Sequence, residues 1–445
     1  MSARERIFAL EQFGIKLGLD HINLILDALD RPDGSWPSVH IAGTNGKGSV
    51  AAMVECGLRA AGHKTGRYTS PHLSGIEERI AIDGAAVDAE MFDAAAADVM
   101  AIVDRLRTNG ALQEWPTFFE VTTAIAFEIF RRHGVDVAVV EVGLGGRFDA
   151  TNALLPIATA ITSIALDHER HLGTTITQIA SEKAGIIKRS VPVVLGELPA
   201  AARAVIVAEA ERQQAPVVEA GLDCVEQSRL LAGRASIDLV TPVGDYEGIT
   251  LGLNGAHQVA NAVVAARTLE VCAELGLRIQ HRDVVAALSD VEWPARLEWL
   301  RVPPHGFVLI DAAHNPAGAQ ALADYLRDAN VAPIPLVLAI MRDKDLDAII
   351  AVLAPLVSEF VATEVPSARC TPVNDLAARI SRVSPRTAIT IEADPHAAVA
   401  AALARHARAA IAGSIFLVGP VRTQLIERGA TPVRYSSEGH SSLLS

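Results

Sequence analysis

The chain has 445 residues, half of them apolar but only 4% aromatic, too long for one hydrophobic core and packed on Ala, Val, Leu and Ile, as in α/β folds with parallel strands. A formal net charge of −13 without a basic stripe argues against a nucleic-acid partner. No apolar run approaches the roughly 20 residues of a membrane span, the first residues lack an apolar signal core, and Cys56, Cys224, Cys272 and Cys370 lack metal-ligand spacing, so a cytoplasmic protein with inert thiols, no zinc and no membrane partner is expected.

Residues 7–29 carry apolar positions at helical spacing and lead through the turn Arg31-Pro32-Asp33-Gly34 to a first strand. That strand, Val39-His40-Ile41-Ala42, breaks into Gly43-Thr44-Asn45-Gly46-Lys47-Gly48-Ser49, and a helix over 50–61 follows at once. Glycines that let the backbone approach a polyphosphate, a helix N-terminus with free N–H groups, the Lys47 charge and the Ser49 hydroxyl together make an anion site suited to ATP and its Mg²⁺. The literal pattern GxxxxGK[ST] is not met, because Ile41 stands at its first glycine and Gly48 follows Lys47.

A short strand over 64–68 ends at Thr69-Ser70-Pro71-His72-Leu73 and passes into a hairpin near 78–84. Helices at 88–108 and 118–133 precede a strand at 135–142 that carries Glu141 near its end, and a strand over 157–164 ends at Ala165-Leu166-Asp167-His168. A helix at 175–184 then delivers Lys183. In open parallel sheets ligands bind beyond the carboxyl ends of the strands, where the loop 43–49, Ser70, Glu141 and His168 are all expected. Further strands and a helix between 189 and 255 lead to an alanine-rich helix opened by the segment that contains His257 and Asn261.

Pro294 marks the expected boundary between a domain of residues 1–294 and one of residues 295–445. Beyond it the alternation restarts: strand 307–311, helix 317–328, strand 336–341, helix 345–356, strand 360–363, helices 374–382 and 395–411, strand 415–418. The expected fold class is α/β, an N-terminal P-loop ATPase domain with a mainly parallel sheet and a smaller Rossmann-like C-terminal domain. Residues 435–442 read as a polar, frayed end.

Glu141 ends an apolar strand beside the glycine loop, where Mg²⁺ on ATP needs a carboxylate. Without that neighbour it would read equally well as a solvated strand-end charge. On the residues alone His168 reads as hydrogen-bonded structure, and Lys183 as a surface lysine.

The successive stretches Ala42 to Ser49, Tyr68 to Leu73, Glu141 to Asn152, Leu166-Asp167-His168 and Glu182-Lys183-Ala184-Gly185-Ile186 resemble the signatures of the folylpolyglutamate synthases and dihydrofolate synthases, the folate branch of the Mur ligase superfamily. The resemblance implies an ATP-dependent ligase that adds L-glutamate to folate, and to dihydropteroate in bifunctional members, through an acyl phosphate. It implies nucleotide contacts from Gly43, Thr44, Asn45, Gly46, Lys47, Gly48 and Ser49, with Asn261, Arg296, Asp311 and His314 from later segments. Two Mg²⁺ sites are implied, drawing on Ser49, Ser70 and Glu141 for one and on His168 and Lys183 for the other. Lys183 falls where the family carries a carbamylated lysine, and Lys47, His168 and Lys183 are the implied catalytic residues. Leu17, Thr117, Phe118, Phe119, Asp149 and Ala150 match positions where bifunctional members contact the pterin. Because Phe118 and Phe119 are adjacent at a helix start, they cannot both face the pocket. Three departures stand out: His21 where relatives often have Arg, Ala295 where they often have Gly, and Gly419-Pro420 for a common Gly-Ser. A folylpolyglutamate synthase alone, a peptidoglycan Mur ligase and a P-loop nucleotide switch remain the alternatives, and a monomer is expected.

Overall fold

The structure, a computed structural model, describes residues 1–14, 16, 18–231, 233–304 and 306–433. Leu17 and the polar stretch 435–442 lie outside the described residues. The chain forms two compact units, one of Met1–Glu226, Leu239–Glu247 and Ala260–Val291, the other of Gln227–Asp238, Gly248–Val259 and Glu292–Ser445.

The first unit is built on eight strands: β1 (Ser38–Ala42), β2 (Thr65–Tyr68), β3 (Ile80–Ile82), β4 (Ala85–Ala86), β5 (Val137–Glu141), β6 (Ala158–Ile161), β7 (Val193–Leu195) and β8 (Val217–Glu219). Their order is β4-β3-β2-β5-β1-β6-β7-β8. Only the β2–β3 and β3–β4 pairs are antiparallel; the rest of the sheet is parallel. All five residues of β1 and of β5 are buried, which explains why both strands are almost uniformly apolar. Helix Phe118–Arg132 covers one face, where Trp36 meets Phe127 and Phe130 edge-on at 5.3 and 5.5 Å between ring centroids. The parallel pairing has a functional consequence. Adjacent strands β2, β5, β1 and β6 all end on the same edge, so the loops that follow them emerge side by side.

A three-stranded sheet, β9 (Val225–Leu231), β10 (Arg234–Val240) and β11 (Asp245–Thr250), has residues in both units. In the second unit, β12 (Glu298–Val302), β13 (Gly306–Ile310), β14 (Ile334–Leu338), β15 (Val357–Ala362), β16 (Ala388–Ile391), β17 (Arg408–Ala412) and β18 (Thr431–Pro432) take the order β16-β15-β14-β17-β13-β12-β18. Only the β12 pairs are antiparallel. Both sheets therefore carry the expected α/β, mainly parallel architecture.

One stretch departs from the sequence expectation. The helix expected over 395–411 stops at Arg405, residues 408–412 form β17, and the strand expected at 415–418 is the start of helix Ile415–Glu427. Arg408-Ala-Ala-Ile-Ala favours helix by composition, but the slot between β13 and β14 buries it as a strand. The apolar run after it is turned into helix by Ser414, whose hydroxyl accepts the Phe416 N–H at 3.2 Å. Among the described residues no helix is long and apolar enough to cross a membrane.

In the core of the second unit the Trp299 indole N–H donates to the Tyr325 hydroxyl at 2.7 Å, with both side chains almost fully buried. Tyr325→Phe leaves that N–H without its partner and should lower stability by about 1–3 kcal/mol in urea unfolding; an unchanged transition would show that the bond adds nothing.

Candidate active site

The glycine loop leaves β1 at Ala42. Gly43 has φ +155, and a Cβ there would collide with Thr162 Oγ1. Gly46 has φ +85 and precedes helix Lys47–Ala60; a Cβ there would collide with the Asn261 carboxamide. The loop following β6 holds this backbone open: Thr44 N–H donates to Ser163 O at 2.7 Å, Asn45 N–H to Ser163 Oγ at 3.0 Å, and the Thr162 and Ser163 hydroxyls donate to Asn45 O at 2.6 and 2.9 Å. Thr162 and Ser163 were not anticipated as site residues. Two adjacent hydroxyl residues directly after a buried strand beside the loop strand were the available signal.

Lys47 folds back, donating to Gly43 O at 3.1 Å and to Thr44 O at 3.2 Å. Lys183 donates to the same Gly43 carbonyl at 2.8 Å. Two ammonium groups thus converge on one backbone oxygen, and Lys183 is only 4% exposed. Burial, reinforced by the Lys47 charge, pulls the Lys183 amine down to about 7. Helix Ile176–Ala184 carries Lys183 against the loop following β5, where a Cβ on Gly146 would lie 2.7 Å from Glu182 O and 3.0 Å from Lys183 Cα.

Glu141, 5% exposed, sits level with Ile41 in the β1–β5 register, and its Oε2 accepts the Ser70 N–H at 3.1 Å. Ser49 is buried in the first turn of the loop helix. His168 has φ +51 before the short helix Glu169–Leu172, and its Nε2 lies 4.0 Å from Asp167 Oδ2. Among the described residues no three His, Cys, Asp or Glu side chains gather as a metal cage. The Glu141 carboxylate, oriented by Ser70, fits Mg²⁺, which takes one or two carboxylates and completes its shell with phosphate oxygens and water. Lys183 as an ammonium offers donors only, and Mg²⁺ takes oxygen ligands, so the side chain fits that metal only as a carbamate.

The residues matched to pterin contacts have structural duties as well. Thr117 caps helix Phe118–Arg132 in a reciprocal box with Glu120, with Thr117 N–H to Glu120 Oε2 at 2.6 Å and Glu120 N–H to Thr117 Oγ1 at 3.2 Å. Phe119 covers Gly143 and lies 6.0 Å from the Tyr68 ring, while Phe118 lies 5.9 Å from Phe8. Asp149 is buried and accepts Leu144 N–H at 2.8 Å and Thr151 N–H at 3.0 Å as the cap of the turn Ala150–Ala153; burial pushes its carboxyl up. Ala150 is buried in that turn.

In the second unit Asp311 Oδ2 accepts the Leu297 N–H and Oδ1 the Ala313 N–H, both at 2.9 Å. Burial raises the Asp311 carboxyl while the Arg296 guanidinium nearby opposes the rise. His314 Nδ1 lies 2.9 Å from Ala312 O. Asn261 belongs to the first unit and packs on Gly46 there.

This geometry is that of a nucleotide-using enzyme, and comparison with known proteins narrows the class. The Mur ligase middle domain matches residues 41–269, and the Mur ligase, glutamate ligase domain matches residues 295–420. A dihydrofolate synthase/folylpolyglutamate synthase of Mycobacterium tuberculosis is 40% identical over 374 residues, 81% of this chain and 76% of the relative. The structure of M. tuberculosis folylpolyglutamate synthase complexed with ADP superposes with a TM-score of 0.87 at 35% identity, over 97% of this chain and 99% of that one. E. coli FolC in complex with DHPP and ADP gives a TM-score of 0.82 at 26% identity, over 96% and 98%. The chain is a Mur-type ligase and belongs to the folylpolyglutamate synthase/dihydrofolate synthase family.

Gly46→Ala sets a Cβ against Asn261 in a left-handed conformation. Nucleotide affinity should fall at least about tenfold with the circular dichroism spectrum unchanged; wild-type binding of ADP by calorimetry would overturn this account of the loop.

Proposed function

We propose that the chain is an ATP-dependent carboxylate–amine ligase that joins L-glutamate to folates and to dihydropteroate through an acyl phosphate. The observation that carries this reading is the open glycine loop with two lysines at its mouth and the Glu141 carboxylate on the neighbouring strand end. Similarity to a relative named for both activities, and to E. coli FolC bound to DHPP and ADP, supports the two acceptors. Residues 1–294 would form the ATP-binding domain and 295–445 the ligase domain. A cytoplasmic setting fits four free cysteines, and a monomer is part of the same proposal.

Backbone N–H groups at the N-terminus of helix Lys47–Ala60 and the Lys47 charge cradle the phosphates, and negative charge spreading over the transferred group meets a loop already fixed by Thr162 and Ser163 through Thr44 and Asn45. Arg296, Asp311, His314 and Asn261 complete the nucleotide contacts in this reading. Ser49, Ser70 and Glu141 would hold one Mg²⁺, and His168 with carbamylated Lys183 a second; when bound, the metals neutralise phosphate oxygens and draw charge from the leaving group. The acceptor carboxylate attacks the γ-phosphorus and expels ADP to give the acyl phosphate, and the glutamate amine then attacks the acyl carbon, loses a proton and displaces phosphate. Phe118, Phe119, Thr117, Asp149, Ala150 and Leu17 would line the pterin side. Most of the rate then comes from holding the reactants in position.

The reading is tested by phosphate release with ATP, Mg²⁺ and glutamate. Release should require glutamate together with tetrahydrofolate or dihydropteroate. Release with tetrahydrofolate alone would reduce the enzyme to a folylpolyglutamate synthase, and release independent of any acceptor would leave an ATPase. For Lys183, its burial from water and a hydrogen bond to a backbone carbonyl, Gly43 O, support carbamylation. Isotope-labelled bicarbonate should give a carbamate carbonyl resonance that is absent in Lys183→Arg, whose kcat should fall about a hundredfold or more; full activity without that resonance would discard the carbamate.

A further inference from the structure

A buried arginine without a carboxylate is costly, so its partner has to come from elsewhere. Arg79 is such a residue in the first unit. It ends the turn Ile76–Arg79 before β3, is 8% exposed, and its carbonyl accepts the Thr69 N–H at 2.9 Å. Its Nε donates to His72 Nδ1 at 2.9 Å, and its guanidinium lies 5.2 Å from the centroid of the Phe118 ring. The guanidinium also bonds the buried Tyr68 hydroxyl, which is itself bonded to the Thr122 hydroxyl at 3.0 Å.

The neighbouring carboxylates are committed elsewhere. Glu78 accepts the N–H groups of Leu73, Ser74 and Gly75, and Glu77 pairs with Arg4 at 2.6 Å. Glu11 and Glu141 reach Arg79 only through space, and among the described residues no carboxylate forms an ion pair with it. The result is a guanidinium with one face on an aromatic ring and neutral partners in His72 and Tyr68, whose charge is met by no carboxylate among the described residues and suits a ligand's carboxylate.

We propose that Arg79 receives the α-carboxylate of a folate-type acceptor, the carboxylate that does not react. This rests on the ligase reading above. In that reading Lys47 and the loop helix serve the nucleotide phosphates, whereas Arg79 stands on Phe118, one of the residues assigned to the acceptor. A carboxylate paired with a guanidinium is a poorer nucleophile toward phosphorus, so the spectator carboxylate is its match. Dihydropteroate has one carboxylate, the reacting one; a folate ends in glutamate and has two. Arg79 therefore separates the two acceptors.

The test compares wild type with Arg79→Gln and Arg79→Lys in steady-state kinetics for tetrahydrofolate, dihydropteroate and ATP. It adds calorimetric titration with p-aminobenzoylglutamate, which carries the two carboxylates without the pterin and needs no turnover. Arg79→Gln should raise KM for tetrahydrofolate about tenfold or more and weaken p-aminobenzoylglutamate as much. KM for dihydropteroate and ATP should stay within about twofold, and Arg79→Lys should recover part of the loss. Equal losses for both acceptors with a lower melting temperature would make Arg79 structural and overturn the proposal, as would an unchanged p-aminobenzoylglutamate affinity. Wild type inactive with both acceptors would sink the ligase reading, while the titration would still decide for or against the carboxylate site.

Discussion

The site depends on one constraint, the parallel pairing of β2, β5, β1 and β6. Because these neighbours run the same way, four loops leave one edge in the order of the strands, and residues far apart in sequence become adjacent without any long-range fitting of side chains. The register makes this concrete: Ile41 pairs with Glu141 and Ile161 with Ala42, so the glycine turn starts level with the acidic strand end on one side and with Thr162 on the other. The turn at Gly43 is then forced by packing, since only a residue without Cβ clears the Thr162 hydroxyl.

Charge explains what that edge is for. Lys47 and Lys183 share the Gly43 carbonyl, and the one that is buried loses much of its hold on a proton. Two positive groups beside a helix N-terminus in a chain of net charge −13 concentrate an attraction for anions in one place. The same arrangement suits Lys183 to change sign. An amine far from water is a ready nucleophile toward CO₂, and the resulting carboxylate would face Lys47 instead of repelling it.

Much of this was legible in the sequence because glycine, lysine and hydroxyl residues in one short order admit few other readings, and because strand ends can be located from apolar runs. The residues at 408–418 were misread where burial between β13 and β14 outweighed the helix preference of alanine. Thr117 and Asp149 matched pterin positions by resemblance, yet the side chains of both are engaged as caps. A sequence cannot say whether a cap residue also meets a ligand. Nor can it reveal Arg79, whose distinction is that Glu77 and Glu78 beside it are turned to other partners.

Ala295 ties the second unit's candidate nucleotide residues to a local cost. It and Leu297 have φ of +55 and +49, a conformation that costs an L-residue roughly 1–2 kcal/mol. The strain is held by bonds on both sides of the peptide. Ala295 N–H donates to Glu298 Oε2 at 2.9 Å, its carbonyl accepts Ala312 N–H at 3.0 Å, and Arg422 clamps Glu298 through both carboxylate oxygens at 2.7 and 2.8 Å. Leu297 N–H in turn bonds Asp311. The turn is therefore fixed by the network around Glu298 and Asp311 rather than by its own residue type, and Arg296, between two left-handed residues, is presented in one direction because its neighbours cannot relax.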